Sequence, residues 1–257
     1  MALIECHFFS STLGMSSSIN VILPERPLEE LGKPKKHPVL WLLHGRSDDH
    51  TIWMRRTSIE RYASAAGLAV VMPAVGLSWY QDMAIGQAYR TYLSEELPLV
   101  ARSFFPLSEK RQDNFIAGLS MGGYGAFLHA LAQPGKYAAA ASLSGALDIA
   151  TNVASANPMW QASFQSAYGD LSKVKGGNAD LMALAKRLAR SAGPKPALYA
   201  CCGSDDFLLE NNHSFVAHAK KIGLPLTYEE HVGHSHEWGY WDQQIQRVIE
   251  WLPRKRR

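Results

Sequence analysis

The segment Gly118-Leu119-Ser120-Met121-Gly122 constrains this chain more than any other part of it. It follows the apolar run Asn114-Phe115-Ile116-Ala117 and precedes Gly123-Tyr124-Gly125-Ala126-Phe127-Leu128-His129-Ala130-Leu131. That pattern predicts a strand, a sharp turn with a serine at its apex, and a helix: the geometry of a nucleophile elbow. The turn strains the serine backbone, so small residues must flank it, and Gly118, Gly122 and Gly123 meet the need. The alternative is a glycine-rich strand-to-helix turn that cradles a phosphate at the helix N-terminus.

A serine hydroxyl is a poor nucleophile at neutral pH, so it needs a histidine to take its proton and an acid to orient that histidine. After an elbow these follow in the order acid, then histidine, with the acid behind a late strand and the histidine before the last helix. Pro196-Ala197-Leu198-Tyr199-Ala200-Cys201-Cys202 reads as such a strand and ends in Gly203-Ser204-Asp205-Asp206-Phe207-Leu208. A second strand, Leu226 to Glu230, runs into His231-Val232-Gly233-His234-Ser235-His236-Glu237-Trp238. Beyond it Ile245, Val248, Ile249, Trp251 and Leu252 have helical spacing.

With His44-Gly45 after the strand Val39 to Leu43, the elbow, the Cys-Gly-Ser-Asp-Asp-Phe turn and the His-Glu-Trp turn, the chain resembles the tributyrin esterase branch of the esterase D family. That family also holds S-formylglutathione hydrolases, feruloyl and acetylxylan esterases, and mycolyltransferases. The resemblance runs from Ile4 to Leu252. It implies an α/β-hydrolase fold with Ser120, Asp206 and His236 as catalytic residues. Asp206 is the aspartate three positions after the glycine of its turn, and His236 directly precedes an acidic-aromatic pair. The oxyanion hole is expected at the N–H of Met121, after the nucleophile. By the resemblance its second donor is the N–H of Arg46, with Gly45 permitting close backbone approach.

Neighbouring residues compete for these roles. Asp205 is expected to cap the turn or the following helix, His231 to be solvated or packed, and His234 to hydrogen-bond at the mouth of the site. His44 is expected to brace its loop rather than act as the base. A His-x-x-His-x-His cluster is also a weak zinc pattern, but no accompanying Cys or Glu spacing supports a closed site, so neither metal nor cofactor is expected.

Candidate strands at 4–9, 19–23, 39–43, 68–72, 115–118, 138–143, 198–202 and 226–230 alternate with helical stretches. They predict an antiparallel start and then a mostly parallel sheet with its catalytic groups at the strand carboxyl ends. The helical run Tyr89 to Arg102 contains Pro98 and should be kinked or interrupted there. All 257 residues are expected to form one domain. Between Asp148 and Pro196 the pattern loosens from Asn152 to Asn157, and a short helix is expected at 179–192. A cap-like insertion at about 148–196 is expected there. Trp53, Trp79, Trp160 and Trp238 are candidates for binding substrate, with Tyr80, Phe164 and Tyr168, although some should simply pack.

Apolar residues make up 47% of the chain, without low-complexity tracts or repeats. No apolar run is long enough to span a bilayer and no leader pattern opens the chain, so no membrane partner is expected. The three cysteines, with Cys201 and Cys202 adjacent in a strand, suit small apolar residues better than a disulfide, and a cytoplasmic location is expected. The net charge of +3 comes mostly from Arg254 to Arg257 and from Lys33, Lys35 and Lys36, without the aromatic interleaving of a nucleic-acid module. The expected activity is hydrolysis of short-chain acyl esters, with a small-molecule ester as partner. The alternatives are S-formylglutathione hydrolysis, feruloyl or acetyl carbohydrate esterase activity, acyl transfer, or a catalytically idle binding module. A homo-oligomer is compatible with the family resemblance.

Overall fold

The computed structural model describes residues 1–30, 32, 35–154 and 158–254, with only the backbone at 159. Residues 155–157 of the loosened stretch, and Lys33, Lys255, Arg256 and Arg257 of the basic runs, lie outside the described residues. The strands are β1 (Ala2–Ser10), β2 (Met15–Leu23), β3 (Val39–Leu43), β4 (Ala69–Pro73), β5 (Asn114–Leu119), β6 (Ala139–Leu143), β7 (Ala197–Gly203) and β8 (Thr227–His231). They form one sheet in the order β1-β2-β4-β3-β5-β6-β7-β8. The strands β4-β3-β5-β6-β7-β8 are mutually parallel, whereas β2 pairs antiparallel with both β1 and β4. Every residue of β3 to β6 is buried. Strands covered on both faces need continuous rather than alternating apolar sequence, and that is why these runs are readable.

The helices are α1 (Ile52–Arg56), α2 (Ile59–Ala66), α3 (Tyr89–Thr91), α4 (Leu97–Phe104), α5 (Met121–Ala132), α6 (Ile149–Asn152), α7 (Pro158–Tyr168), α8 (Leu181–Arg190), α9 (Leu209–Lys221) and α10 (Trp238–Trp251). One face of the sheet packs against α1, α2 and α10, through Trp53, Ile59, Trp241 and Ile245. The other packs against α4, α5, α7, α8 and α9, through Leu97, Phe127, Phe164, Leu184 and Phe215. Residues 121–131 of α5 are all buried, so this helix is apolar around its whole circumference. Among the described residues no helix is long and apolar enough to cross a membrane.

The interruption expected at Pro98 begins upstream of it. Between α3 and α4 the chain makes a π-helical turn, Tyr92–Glu96. Proline has no N–H, so the Ser94 carbonyl four residues before it loses its helical partner. The Lys136 ammonium takes that carbonyl at 2.7 Å. The same turn presents Glu96, whose carboxylate accepts the N–H of Ser11 at 2.7 Å and of Thr12 at 3.1 Å, together with the Ser10 hydroxyl. The β1–β2 hairpin is thereby tied to the helical layer.

Segment 148–196 holds α6, α7, a single 3₁₀ turn (Leu171–Lys173) and α8. The helix expected at 179–192 is α8, and its N-cap Asp180 accepts the Met182 N–H at 2.8 Å.

Candidate active site

The chain leaves β3 to form β4 on one side, then returns to form β5 on the other. A crevice opens at the carboxyl ends of strands where the order reverses in this way. Ser120 follows β5 and Gly45-Arg46 follow β3, so the candidate nucleophile and the loop expected to form the oxyanion hole flank that point. Asp206 follows β7 and His236 follows β8.

Ser120 has φ 54° and ψ −117°, a conformation that costs a non-glycine residue about 1–3 kcal/mol. Its surroundings hold it there: its N–H donates to Leu143 O at 2.9 Å, and its carbonyl accepts the N–H of Tyr124 at 3.1 Å and of Ala146 at 3.2 Å. Glycine lets the elbow press against β3. A Cβ on Gly122 would lie 2.5 Å from the Leu43 carbonyl oxygen and 2.6 Å from that of His44. A Cβ on Gly45 would lie 3.7 Å from the Ser120 Cβ and 2.5 Å from Leu119 Cδ1, so the loop after β3 runs directly beside the serine.

Asp206 and His236 are brought together, with Nδ1 of the imidazole 3.0 Å from Oδ1 and 2.9 Å from Oδ2. The carboxylate side chain is fully buried, whereas the imidazole keeps 18% exposure. Burial pushes the Asp206 pKa up. The hydrogen bond and charge of His236, the Leu208 N–H and the Ser144 hydroxyl outweigh that and hold it below the ordinary 3.8. An ionised Asp206 accepts a hydrogen bond from Nδ1–H and so leaves the Nε2 lone pair free to act as a base.

The competitors fall elsewhere. Asp205 is exposed, and its carboxylate accepts the Ser204 hydroxyl at 2.7 Å. The capping expected of Asp205 belongs to Asp206, whose Oδ1 accepts the Leu208 N–H at 2.8 Å at the entry to α9. One side chain therefore both closes the turn and faces the histidine. His231 is packed, with Nδ1 3.0 Å from the Tyr240 hydroxyl. His234 lies against the Tyr240 ring at 5.0 Å between centres. His44 is 1% exposed, with Nδ1 2.7 Å from Gly45 O and Nε2 accepting the Val75 N–H at 3.1 Å. Burial lowers its pKa to about 4, so it stands neutral in its loop.

The N–H groups of Arg46 and Met121 have no acceptor among the described residues. Met121 opens α5, where the first N–H groups have no intrahelical partner. The Arg46 N–H belongs to a trans peptide, so it points away from the Gly45 carbonyl that His44 holds. The arrangement can therefore offer two backbone donors beside a serine hydroxyl.

The candidate aromatic residues separate onto the two sides of the sheet. Trp79 is 1% exposed and packs on Phe164, Trp160 and Tyr124 with ring centres 4.9, 6.0 and 6.1 Å away. The half-buried Trp160 carries the Arg46 guanidinium 5.1 Å from its ring centre. Trp53, also 1% exposed, donates its indole N–H to Leu43 O at 3.0 Å and meets Trp238 edge-on at 5.2 Å. Trp53 and Trp79 are thus packing residues in this structure, because neither has an uncovered ring face. Trp160 and Trp238 remain half-buried.

Sequence reasoning did not reach Ser144, Trp241 or Phe207 in these roles. Trp241 stands edge-on to the His236 ring at 4.8 Å and donates its N–H to the Ser144 hydroxyl at 3.1 Å. Phe207, 63% exposed, covers another side of the imidazole at 4.5 Å. The acid turn's phenylalanine was visible as a signal; Ser144, with φ 48°, carried none.

Comparison with known proteins gives concordant matches. The Esterase family model, described as "Putative esterase", matches residues 10–252. An acetyl esterase of Caldicellulosiruptor saccharolyticus is 31% identical over 263 residues, covering 98% of each chain. The structure of the fluorophosphonate-binding serine hydrolase F of Staphylococcus aureus superposes with a TM-score of 0.92 at 39% identity, over 99% of each chain. That of an S-formylglutathione hydrolase from Staphylococcus aureus gives 0.87 at 40% identity, over 98% of each.

Proposed function

This chain belongs to the Esterase family of α/β serine hydrolases, and within it we propose a serine carboxylesterase that cleaves short-chain acyl esters through Ser120, His236 and Asp206. It is a carboxylic ester hydrolase by its relatives. The observation that carries the assignment of residues is the contact of His236 Nδ1 with both oxygens of a buried carboxylate, on loops that follow β7 and β8 of the same parallel sheet whose β5 leads into the strained Ser120.

In this reading Ser120 Oγ attacks the ester carbonyl carbon while His236 Nε2 takes the hydroxyl proton. The carbonyl electron pair moves onto oxygen, where the N–H groups of Arg46 and Met121 receive the charge. Collapse of the tetrahedral adduct breaks the bond to the leaving alkoxide, which takes the proton from His236, and leaves Ser120 acylated. Water then repeats the sequence: His236 accepts its proton, the acid departs and Ser120 recovers its hydrogen. Asp206 stays ionised and holds the imidazole throughout.

The 40% identity to an S-formylglutathione hydrolase favours a second reading, in which the leaving group is a thiolate. The attack and the oxyanion are the same for a thioester. Turnover of nitrophenyl acetate and butyrate beside S-formylglutathione, by wild type and Ser120→Ala, ranks the two. Loss of all three activities in Ser120→Ala is expected, with the faster substrate class naming the leaving group. Hydrolysis that survives in Ser120→Ala overturns the assignment.

A further inference from the structure

The half-buried side chain of Arg46 leaves the β3–α1 loop and crosses to α7, where its guanidinium carbon lies 5.1 Å from the centre of the Trp160 ring. An aromatic face attracts a cation but leaves the in-plane N–H groups of the fork unused. Among the described residues those groups meet no carboxylate and no carbonyl, and Nε is buried without an acceptor. Asp48, two residues on, has Arg55 and Arg56 as its cationic neighbours. Arg46 is thus a permanent charge held by its flat face, with its donors unspent. That fork matches a carboxylate, which can accept two parallel N–H bonds from it.

The chain puts this cation next to the expected chemistry, since Gly45, its neighbour, is the residue whose Cβ would approach that of Ser120. The sheet separates it from the base. The His236 imidazole packs on Trp241 of α10, whereas the Arg46 guanidinium packs on Trp160 of α7. Trp241 belongs to the core on one face of the sheet, and Trp160 packs against the core on the other. We propose that Arg46 and Trp160 form a subsite for a carboxylate at the far end of the acyl group, so that the preferred ester is one of a short dicarboxylic acid with its second carboxyl free. The proposal rests on the reading of Ser120 as nucleophile and His236 as base. In that reaction His236 hands its proton to the leaving group, which therefore lies on the imidazole's side of the reacting carbon, and the acyl group is left the side of Arg46. Trp160 then walls the methylene stem, and the guanidinium receives its charged end.

Two nitrophenyl esters of adipic acid test this: the monoester, whose far carboxyl is ionised at neutral pH, and the methyl-capped diester, its neutral counterpart. The quantity read is the ratio of their kcat/KM values within one enzyme, in which any disturbance of the Arg46 N–H as an oxyanion donor cancels. Wild type should favour the monoester, by a margin that shrinks as sodium chloride is raised. Arg46→Met should lower the ratio by about tenfold or more, the worth of hydrogen bonds to a charged group. Arg46→Lys, a point charge without the planar fork, should keep part of it. The salt dependence and Arg46→Lys read the same ratio if Arg46→Met does not fold. A second pair, para-acetoxybenzoate and its methyl ester, puts the carboxylate on the leaving group, and its ratio should be the same in wild type and variants. An adipate ratio that is insensitive to salt and equal in wild type and both variants overturns the proposal, and so does a loss that falls on the acetoxybenzoate pair instead. Ser120→Ala tells the two levels apart. Nitrophenolate release that survives in it overturns the esterase reading and this subsite with it, whereas Ser120-dependent release with an unmoved ratio overturns the subsite alone.

Discussion

The Val75 N–H donates to His44 Nε2 at 3.1 Å, which places the His44 proton on Nδ1 and directs it to the Gly45 carbonyl at 2.7 Å. A histidine that a sequence reader would weigh as a second base is thus committed on both nitrogens. What it does is turn one peptide plane, the one whose N–H belongs to Arg46.

That commitment has a pH signature. His44 titrates near 4 in the native protein because burial disfavours its charge, against an ordinary value of 6.5. Between those values the unfolded chain binds a proton at this position that the folded chain refuses. Stability should fall as pH drops from 6.5 to 4, by about 1.4 kcal/mol per pH unit for this group, and not depend on it above 6.5. Buried His129, lowered to about 3, adds in the same direction. Urea denaturation of wild type and His44→Gln between pH 4.5 and 7.5 should show a shallower slope in the variant, by about one proton. Equal slopes would mean that His44 is charged in the fold.

Asp206→Asn should lower kcat/KM by roughly three to four orders of magnitude, because the amide cannot hold the Nδ1–H tautomer. His236→Ala should be comparably impaired, and both should fold. Asp205→Asn and His234→Ala should keep near-normal turnover of nitrophenyl butyrate. If Asp205→Asn were the inactive one, the acid assignment would move by one residue. A fluorophosphonate should label wild type and leave Ser120→Ala unlabelled.

Gly122→Ala tests the contact between elbow and β3. Its methyl would need space held by the carbonyl oxygens of Leu43 and His44, both backbone atoms. Overpacking of this kind costs about 1–3 kcal/mol, so the urea midpoint should fall. Turnover should fall further than the unfolded fraction explains, since Ser120 and the oxyanion loop would be pushed apart. A variant with wild-type activity would show that the elbow can move freely.

Trp241→Ala removes the ring beside His236 and the donor to Ser144. A loss of about tenfold or more in kcat with KM little changed is expected, because the imidazole is positioned less well and substrate contacts stay. Trp241→Phe keeps a ring and should recover part of that loss. A change confined to KM would place Trp241 at the substrate instead.

How legible the molecule was in its sequence depended on how much of each feature is local. The strands at 39–43, 114–119 and 139–143 stood out because burial on both faces forces unbroken apolar runs. β1 and β2 reach beyond the segments expected at 4–9 and 19–23, since Ala2, Leu3, Met15 and Ser16 are exposed and carry no burial signal. Pro98 announced an interruption without its form, because the orphaned Ser94 carbonyl within the π-turn takes its hydrogen bond from Lys136, a donor distant in sequence. The placing of Asp206 against His236 followed motif positions. The fate of Trp53 and Trp79 did not, as a tryptophan's sequence neighbours do not say whether its ring meets solvent or another ring.

Segment 148–196 leaves the sheet after β6 and returns at β7, two adjacent strands whose ends are fixed by parallel pairing. It contributes Trp160 beneath the Arg46 guanidinium but neither the serine, the acid nor the histidine. Because β6 and β7 are held by their own pairing, a change in the segment's length or aromatic content need not move Ser120, Asp206 or His236, which are borne on other loops. Diversity of substrate within one chemistry is the natural history such an architecture permits.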